Sequence, residues 1–142
     1  MSTLSKKERV QKYGEVFTPQ WMVEKMCDEL PVDAWLPDKT FLEPTCGDGI
    51  FVCEILRRKF ANCKCRVDYT TSIKSVYAME IQADNVQKTI EAVTALCREY
   101  FKPTKDDLQA INDHIIMADS LKVMRMINEM NERVRQDGKE DS

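Results

Sequence analysis

Histidine is nearly missing from this chain: His114 is the single one in 142 residues. A cysteine nucleophile would need a base, so Cys46 reads as a small packed thiol, and His114 as a core or strand-edge residue. Cys63 and Cys65 lack the second cysteine pair or histidine cluster that would complete four ligands, so no metal site is expected. Long apolar runs are missing too. None reaches the length of a membrane span, and the polar N-terminus has no signal-peptide core. Six cysteines without a framework spacing then fit reduced thiols in a cytoplasm. An excess of positive charge is also lacking. Lys and Arg total 21 against 24 Asp and Glu, a net charge of −3, which leaves the whole domain without an electrostatic footprint for DNA.

Hydrophobic residues make up 43% of the sequence, ordinary for a globular protein, and the length fits one domain. Two local clusters run against the acidic balance. Lys6, Lys7, Arg9 and Lys12 surround only Glu8, while Arg57, Arg58, Lys59, Lys64 and Arg66 have no acid among them. Solvated helix faces are the expectation for both.

The pattern alternates strands and helices. Thr18-Pro19 predicts a helix start, with Thr18 as the cap, and the stripe Met22, Val23, Met26, Leu30 continues to a stop at Pro31. A strand over Thr40–Leu42 ends on Glu43, and a helix runs from about Ile50 to Phe60. Residues 61–73 read as irregular. Ser75–Met79 reads as a strand ending on Glu80, followed by a long helix with Val86, Ile90, Val93, Cys97 and Tyr100 on one face. Pro103-Thr104 breaks it, Asp106-Asp107 opens a short helix, and His114–Ala118 forms a third strand ending on Asp119. Leu121–Val134 is helical, and the charged tail from Gln136 should fray. The order predicts an α/β fold: a three-layer, Rossmann-like arrangement with about three parallel strands and flanking helices. Residues 1–135 form that domain, with an N-terminal helical element over 1–30 and an α/β core over 40–122; residues 136–142 are the tail.

The most informative stretch lies between the first strand and its helix. Glu43 and Pro44 lead into Thr45, Cys46, Gly47 and Gly49, two glycines one residue apart before a helix N-terminus. That is a tight backbone turn suited to a nucleotide-like ligand, and it lacks the spaced Gly-x-Gly-x-x-Gly of dinucleotide-binding turns. Three strands ending on an acid, Glu43, Glu80 and Asp119, strengthen the reading. Strand carboxyl ends line the ligand crevice of parallel sheets, and carboxylates there can accept from ribose hydroxyls or amino groups. Each acid taken alone is equally a solvated strand terminus.

In order along residues 9–122, the motifs resemble the N-terminal half of an amino-group (adenine-N6) DNA methyltransferase of restriction–modification type. Phe17-Thr18-Pro19 resembles the family's element beside the methionine end of the cofactor. Leu42–Phe51 resembles its glycine loop. Tyr77-Ala-Met-Glu80-Ile81 resembles the motif whose acid binds the ribose, and Ala118-Asp119-Ser120-Leu121 the motif whose Asp meets the adenine amine. The resemblance implies S-adenosylmethionine as cofactor, held by Phe17, Thr18, Pro19, Glu43, Pro44, Thr45, Cys46, Gly47, Gly49, Glu80, Ile81, Asp119 and Ser120.

The family's next strand ends in Asn/Asp-Pro-Pro-Tyr/Phe, which holds the flipped adenine, and this sequence has no proline after Pro103. No catalytic residue is therefore assigned. The resemblance implies a cofactor-binding portion that needs a partner chain for catalysis and meets DNA only through it. The alternative is a non-enzymatic, methyltransferase-like binding protein, such as a phage or mobile-element factor acting on a defence complex. A small-molecule methyltransferase fits less well. In a strand order 3-2-1 the first strand would stand as an open edge, calling for a protein partner, a self-dimer, or cover by the C-terminal helix with its stripe Val123, Ile127, Met130, Val134. Met117, Met124, Met126 and Met130 read as ordinary packing or as part of an adaptable partner surface.

Overall fold

The computed structural model describes residues 5, 7–8, 18–44 and 46–140. Among them, six helices and a short 3-10 turn accompany three strands. Strands β1 (Phe41–Glu43), β2 (Val76–Glu80) and β3 (Ile115–Met117) form one parallel sheet in the order β1-β2-β3. Phe41 is in register with Val76, and Glu80 with Met117. The chain is an α/β protein with β2 in the centre and β1 at one edge.

Helix α1 (Gln20–Asp28) begins after Pro19, not after Thr18. Pro19 is the N-cap, and its carbonyl accepts from the N–H groups of Met22 and Val23 at 3.0 and 3.1 Å. The side that α1 buries carries Val23 and Cys27, while Met22, Met26 and Leu30 of the expected stripe are exposed. Helix α2 (Ile50–Phe60) matches its expected bounds. Residues 61–73 are not irregular: α3 (Arg66–Lys74) occupies most of them. Its β-branched Thr70 and Thr71 weaken the periodic signal, and its stability comes from tertiary contacts. Ser72 and Ile73 are buried, and the Tyr69 ring packs at tilted angles among Phe60, Tyr100 and Phe101.

Helix α4 (Ala83–Tyr100) buries Asn85, Thr89, Val93, Leu96 and Cys97, so its inward stripe is rotated toward two polar residues. Helix α5 (Lys105–His114) starts with a capping box between Thr104 and Asp107. It takes in His114, which the sequence pattern had placed in β3. The imidazole stacks on Tyr77, ring centroids 4.2 Å apart. The last helix, α6 (Ser120–Glu140), runs well past Val134 into the stretch expected to fray.

The core explains the sheet's asymmetry. Helices α2 to α5 pack on one another and on the sheet, forming one layer against one face. Two successive right-handed crossovers in the same direction place all intervening helices on the same side. Phe41, Val76, Ala78 and Ile115 point into that layer. The opposite face carries Leu42, Tyr77 and Ile116, which are 53%, 39% and 45% exposed, together with the buried Met79. Three layers were expected; the described residues place the helices α2 to α5 in one layer only, because no crossover returns across the sheet.

The second basic cluster is a solvated face only in part: Arg57, Lys64 and Arg66 are exposed. Lys59 is fully buried in the core. Arg58 pairs with Glu54 at 2.9 Å and with Asp28 at 2.8 Å, joining α2 to α1. Arg66 pairs with the buried Asp107 and lies over the Phe101 ring, joining α3 to α5. Of the first cluster, Lys6, Arg9 and Lys12 lie outside the described residues.

Candidate functional site

The strand carboxyl ends come together at one rim of the sheet. Past β1, the chain turns through Pro44 and Cys46 into Gly47 and Gly49, which adopt φ of 54° and 93°. Both lie in the left-handed region that favours glycine. The Cys46 N–H donates to the Met79 carbonyl at 2.9 Å, which fixes the turn beside the end of β2. The Ala118 N–H donates to the Glu80 carbonyl at 3.0 Å, bringing the end of β3 to the same rim. Glu43, Pro44, Cys46, Gly47, Gly49, Glu80, Ile81, Asp119 and Ser120 thus cluster along one edge of the fold through backbone register. Thr18 and Pro19 stand at the start of α1, which packs on α2, and no hydrogen bond among the described residues ties them to the rim. Phe17 and Thr45 lie outside the described residues.

Thr89 on α4 is the residue the sequence reading missed. Its hydroxyl donates to the Gly47 carbonyl at 3.2 Å and lies 3.5 Å from the Cys46 thiol. A Cβ on Gly49 would meet Thr89 Cγ2 at 3.1 Å. The turn is therefore shaped by close packing on α4 as well as by its own backbone. Asn85, one turn before Thr89, is also fully buried. Polar residues at 85 and 89, four apart and in step with Val93 and Cys97, were the available signal.

The Cys46 thiol is buried, and burial pushes it up to about 11, outweighing the Thr89 hydrogen bond. A thiol held that far toward its protonated form is a packing group and a poor nucleophile. Cys53 and Cys97 are likewise pushed up by burial, to about 11 and about 12. Among the described residues, no three His, Cys, Asp or Glu side chains gather closely enough to hold a metal ion.

The acids differ in what they already do. One carboxylate oxygen of Glu80, a buried residue, accepts from the Gln82 N–H at 2.6 Å and shapes the entry to α4. Asp119 is exposed, and its Oδ1 accepts from the N–H groups of Leu121 and Lys122 at 3.1 and 3.3 Å. That is a helix cap for α6. Glu43 is partly buried at the end of the edge strand. As donors and acceptors, the rim offers carboxylates, a glycine turn and a helix N-terminus, a set that suits hydroxyls and an amino group. A small apolar void elsewhere, lined by Val52, Leu56, Val93, Ile111 and Ile115, lies inside the core and is a packing defect.

No protein-family model matches the chain, and neither the curated proteins nor the solved structures provide a match. Among the described residues, no helix is long and apolar enough to cross a membrane.

Proposed function

We propose that this chain is the S-adenosylmethionine-binding portion of a DNA adenine-N6 methyltransferase and works with a partner chain that supplies the catalytic element. The observation that carries the reading is the gathering of Glu43, the Gly47–Gly49 turn, Glu80 and Asp119 at the carboxyl ends of three parallel strands. In such sheets that rim is where ligands bind. Glu80 would hold the ribose hydroxyls, Asp119 would stand near the adenine amine, and the glycine turn would lie against the rest of the cofactor. The bound cofactor would supply an electrophilic methyl group on its sulfonium. These residues bind and orient; the element that positions a target adenine comes from the partner, so the chain alone transfers no methyl group to DNA. Among the described residues β1 has a partner strand on one side only, and Leu42 and Ile116 are exposed on the sheet face away from the helices, which supports a partner at that side.

The second reading, a methyltransferase-like binding protein without catalysis acting on another complex, draws on Asp119, whose carboxylate is engaged in capping α6. Calorimetry with S-adenosylmethionine separates the two. The first reading expects binding, and Glu80→Gln, which keeps an acceptor for Gln82, should weaken it by roughly fivefold to a hundredfold. Unchanged affinity in the variant would remove Glu80 from the site. No binding by the folded parent chain would favour the second reading.

A further inference from the structure

The carbonyl of Gly47 accepts a hydrogen bond from a side chain that is itself fully buried, the Thr89 hydroxyl on α4, at 3.2 Å. We infer that Thr89 is a positioning residue of the rim: by holding the Gly47 carbonyl toward α4, it presents the Asp48 N–H as a donor to the carboxylate of a bound nucleoside that carries an amino-acid group. This role rests on the reading of the rim as a cofactor site, and it adds the residue that sets which way the glycine turn is polarised.

Peptide geometry carries it. A trans peptide is planar, with its C=O and N–H on opposite edges, and no peptide among the described residues is cis. The Asp48 N–H shares its peptide with the Gly47 carbonyl, so it points away from Thr89. Accessibility agrees. Gly47 and Asp48 are half-buried between the buried Cys46 and Gly49, which makes their peptide the part of the turn that a ligand can reach. Glycine leaves that peptide free to rotate, since Gly47, at φ of 54°, has no side chain to restrict it. A rotated peptide would show the ligand an acceptor where a donor is needed. The Thr89 hydroxyl removes that freedom. It is itself oriented, because the Cys46 thiol lies 3.5 Å away and, held protonated by burial, can donate to Thr89 Oγ1 and leave the hydroxyl proton for Gly47.

Charge selects the ligand group. Glu43, Glu80 and Asp119 stand at the ends of the three strands, where they suit hydroxyls and ammonium groups and repel a carboxylate. The Asp48 side chain serves the start of α2, its Oδ1 accepting from the Ile50 N–H at 3.4 Å. What the turn offers an anion is therefore its backbone N–H, beside the N-terminus of an 11-residue helix. The amino-acid end of the cofactor is a zwitterion, and it matches a rim that sets acids next to one such donor.

Calorimetry of the full chain with two nucleosides tests the role. S-adenosylhomocysteine carries the amino-acid group, while methylthioadenosine has the same adenine, ribose and thioether without it. Thr89→Val keeps the side chain's shape and removes the hydroxyl; Thr89→Ser keeps the hydroxyl. Thr89→Val should weaken S-adenosylhomocysteine about tenfold and leave methylthioadenosine within about twofold, with Thr89→Ser close to the parent for both. Circular dichroism establishes that each variant folds. A packing role alone would weaken both nucleosides in Thr89→Val, or weaken binding in Thr89→Ser as much as in Thr89→Val, and either result would overturn the inference. Amide NMR of the parent chain needs no variant and decides the matter if Thr89→Val unfolds. Saturating S-adenosylhomocysteine should shift the Asp48 N–H resonance, and a resonance that stays in place would remove the donor. A parent chain that binds neither nucleoside removes the cofactor reading and this role with it; binding that is indifferent to Thr89→Val removes this role alone.

Discussion

The ammonium of Lys59 lies 2.8 Å from the carbonyl oxygen of Leu36. It also donates to the carbonyls of Pro37 and Lys39, and it sits 5.3 Å from the Phe41 ring centre. A fully buried lysine thus holds the loop that delivers the chain into β1. Burial lowers its pKa to about 8, so it remains protonated at neutral pH, where three N–H bonds match three carbonyls. Lys59→Met would fill the space and leave three acceptors without their donor. A loss of about 2–3 kcal/mol is expected, since one unsatisfied buried group alone typically costs about 1–3 kcal/mol. Urea unfolding measures it; an unchanged midpoint would show that water replaces the ammonium.

Gly49 and Thr89 test the glycine turn. Gly49→Ala places a Cβ at φ of 93° and within 3.2 Å of the Thr89 backbone Cα. The left-handed conformation alone costs a non-glycine residue about 1–2 kcal/mol, and the contact adds to that. Thermal unfolding should show a clear loss. A variant as stable as the parent would mean that the turn relaxes freely and that its geometry is not fixed by α4.

Acid should loosen the junction of α3 with α5. Burial of Asp107 works to raise its pKa, but the Thr104 N–H, the Thr70 hydroxyl and the Arg66 guanidinium hold it down to about 2. The folded value lies below the unfolded 3.8. Its stabilisation is therefore complete above about pH 4 and is lost as pH falls toward 2. The contribution is on the order of 2 kcal/mol. Asp107→Asn should flatten the acid limb of the stability profile between those values, and an unaltered slope would assign that limb to other carboxylates.

The open edge is addressed through Leu42. Phe41 stacks on Trp35 at 5.4 Å between ring centres and belongs to the helical layer, so a charge there would damage the core. Leu42 points the other way and is exposed. Leu42→Lys should leave the melting temperature of the isolated chain within a few degrees and abolish capture of a partner that adds to β1. Retention of that partner by the variant would move the docking surface elsewhere.

The sequence by itself determined the order of the strands and the residues at their carboxyl ends. Thr40–Glu43, Ser75–Glu80 and His114–Ala118 contain the three strands within a residue or two, because short apolar runs bounded by turn residues and acids are local signals. Two glycines before Ile50 marked the tight turn for the same reason. Helix α3 escaped notice because its residues make a poor helix alone; Tyr69, Ile73 and the Arg66–Asp107 pair stabilise it from outside its own segment. Lys59 read as solvent-facing because a charge pattern does not reveal three carbonyls waiting some twenty residues back in the chain. Thr89 read as incidental because its partners lie in the glycine turn. Only tertiary structure decided that the helices α2 to α5 share one side of the sheet: periodicity tells a helix which face to bury, while the direction of successive crossovers decides where that face finds its partner.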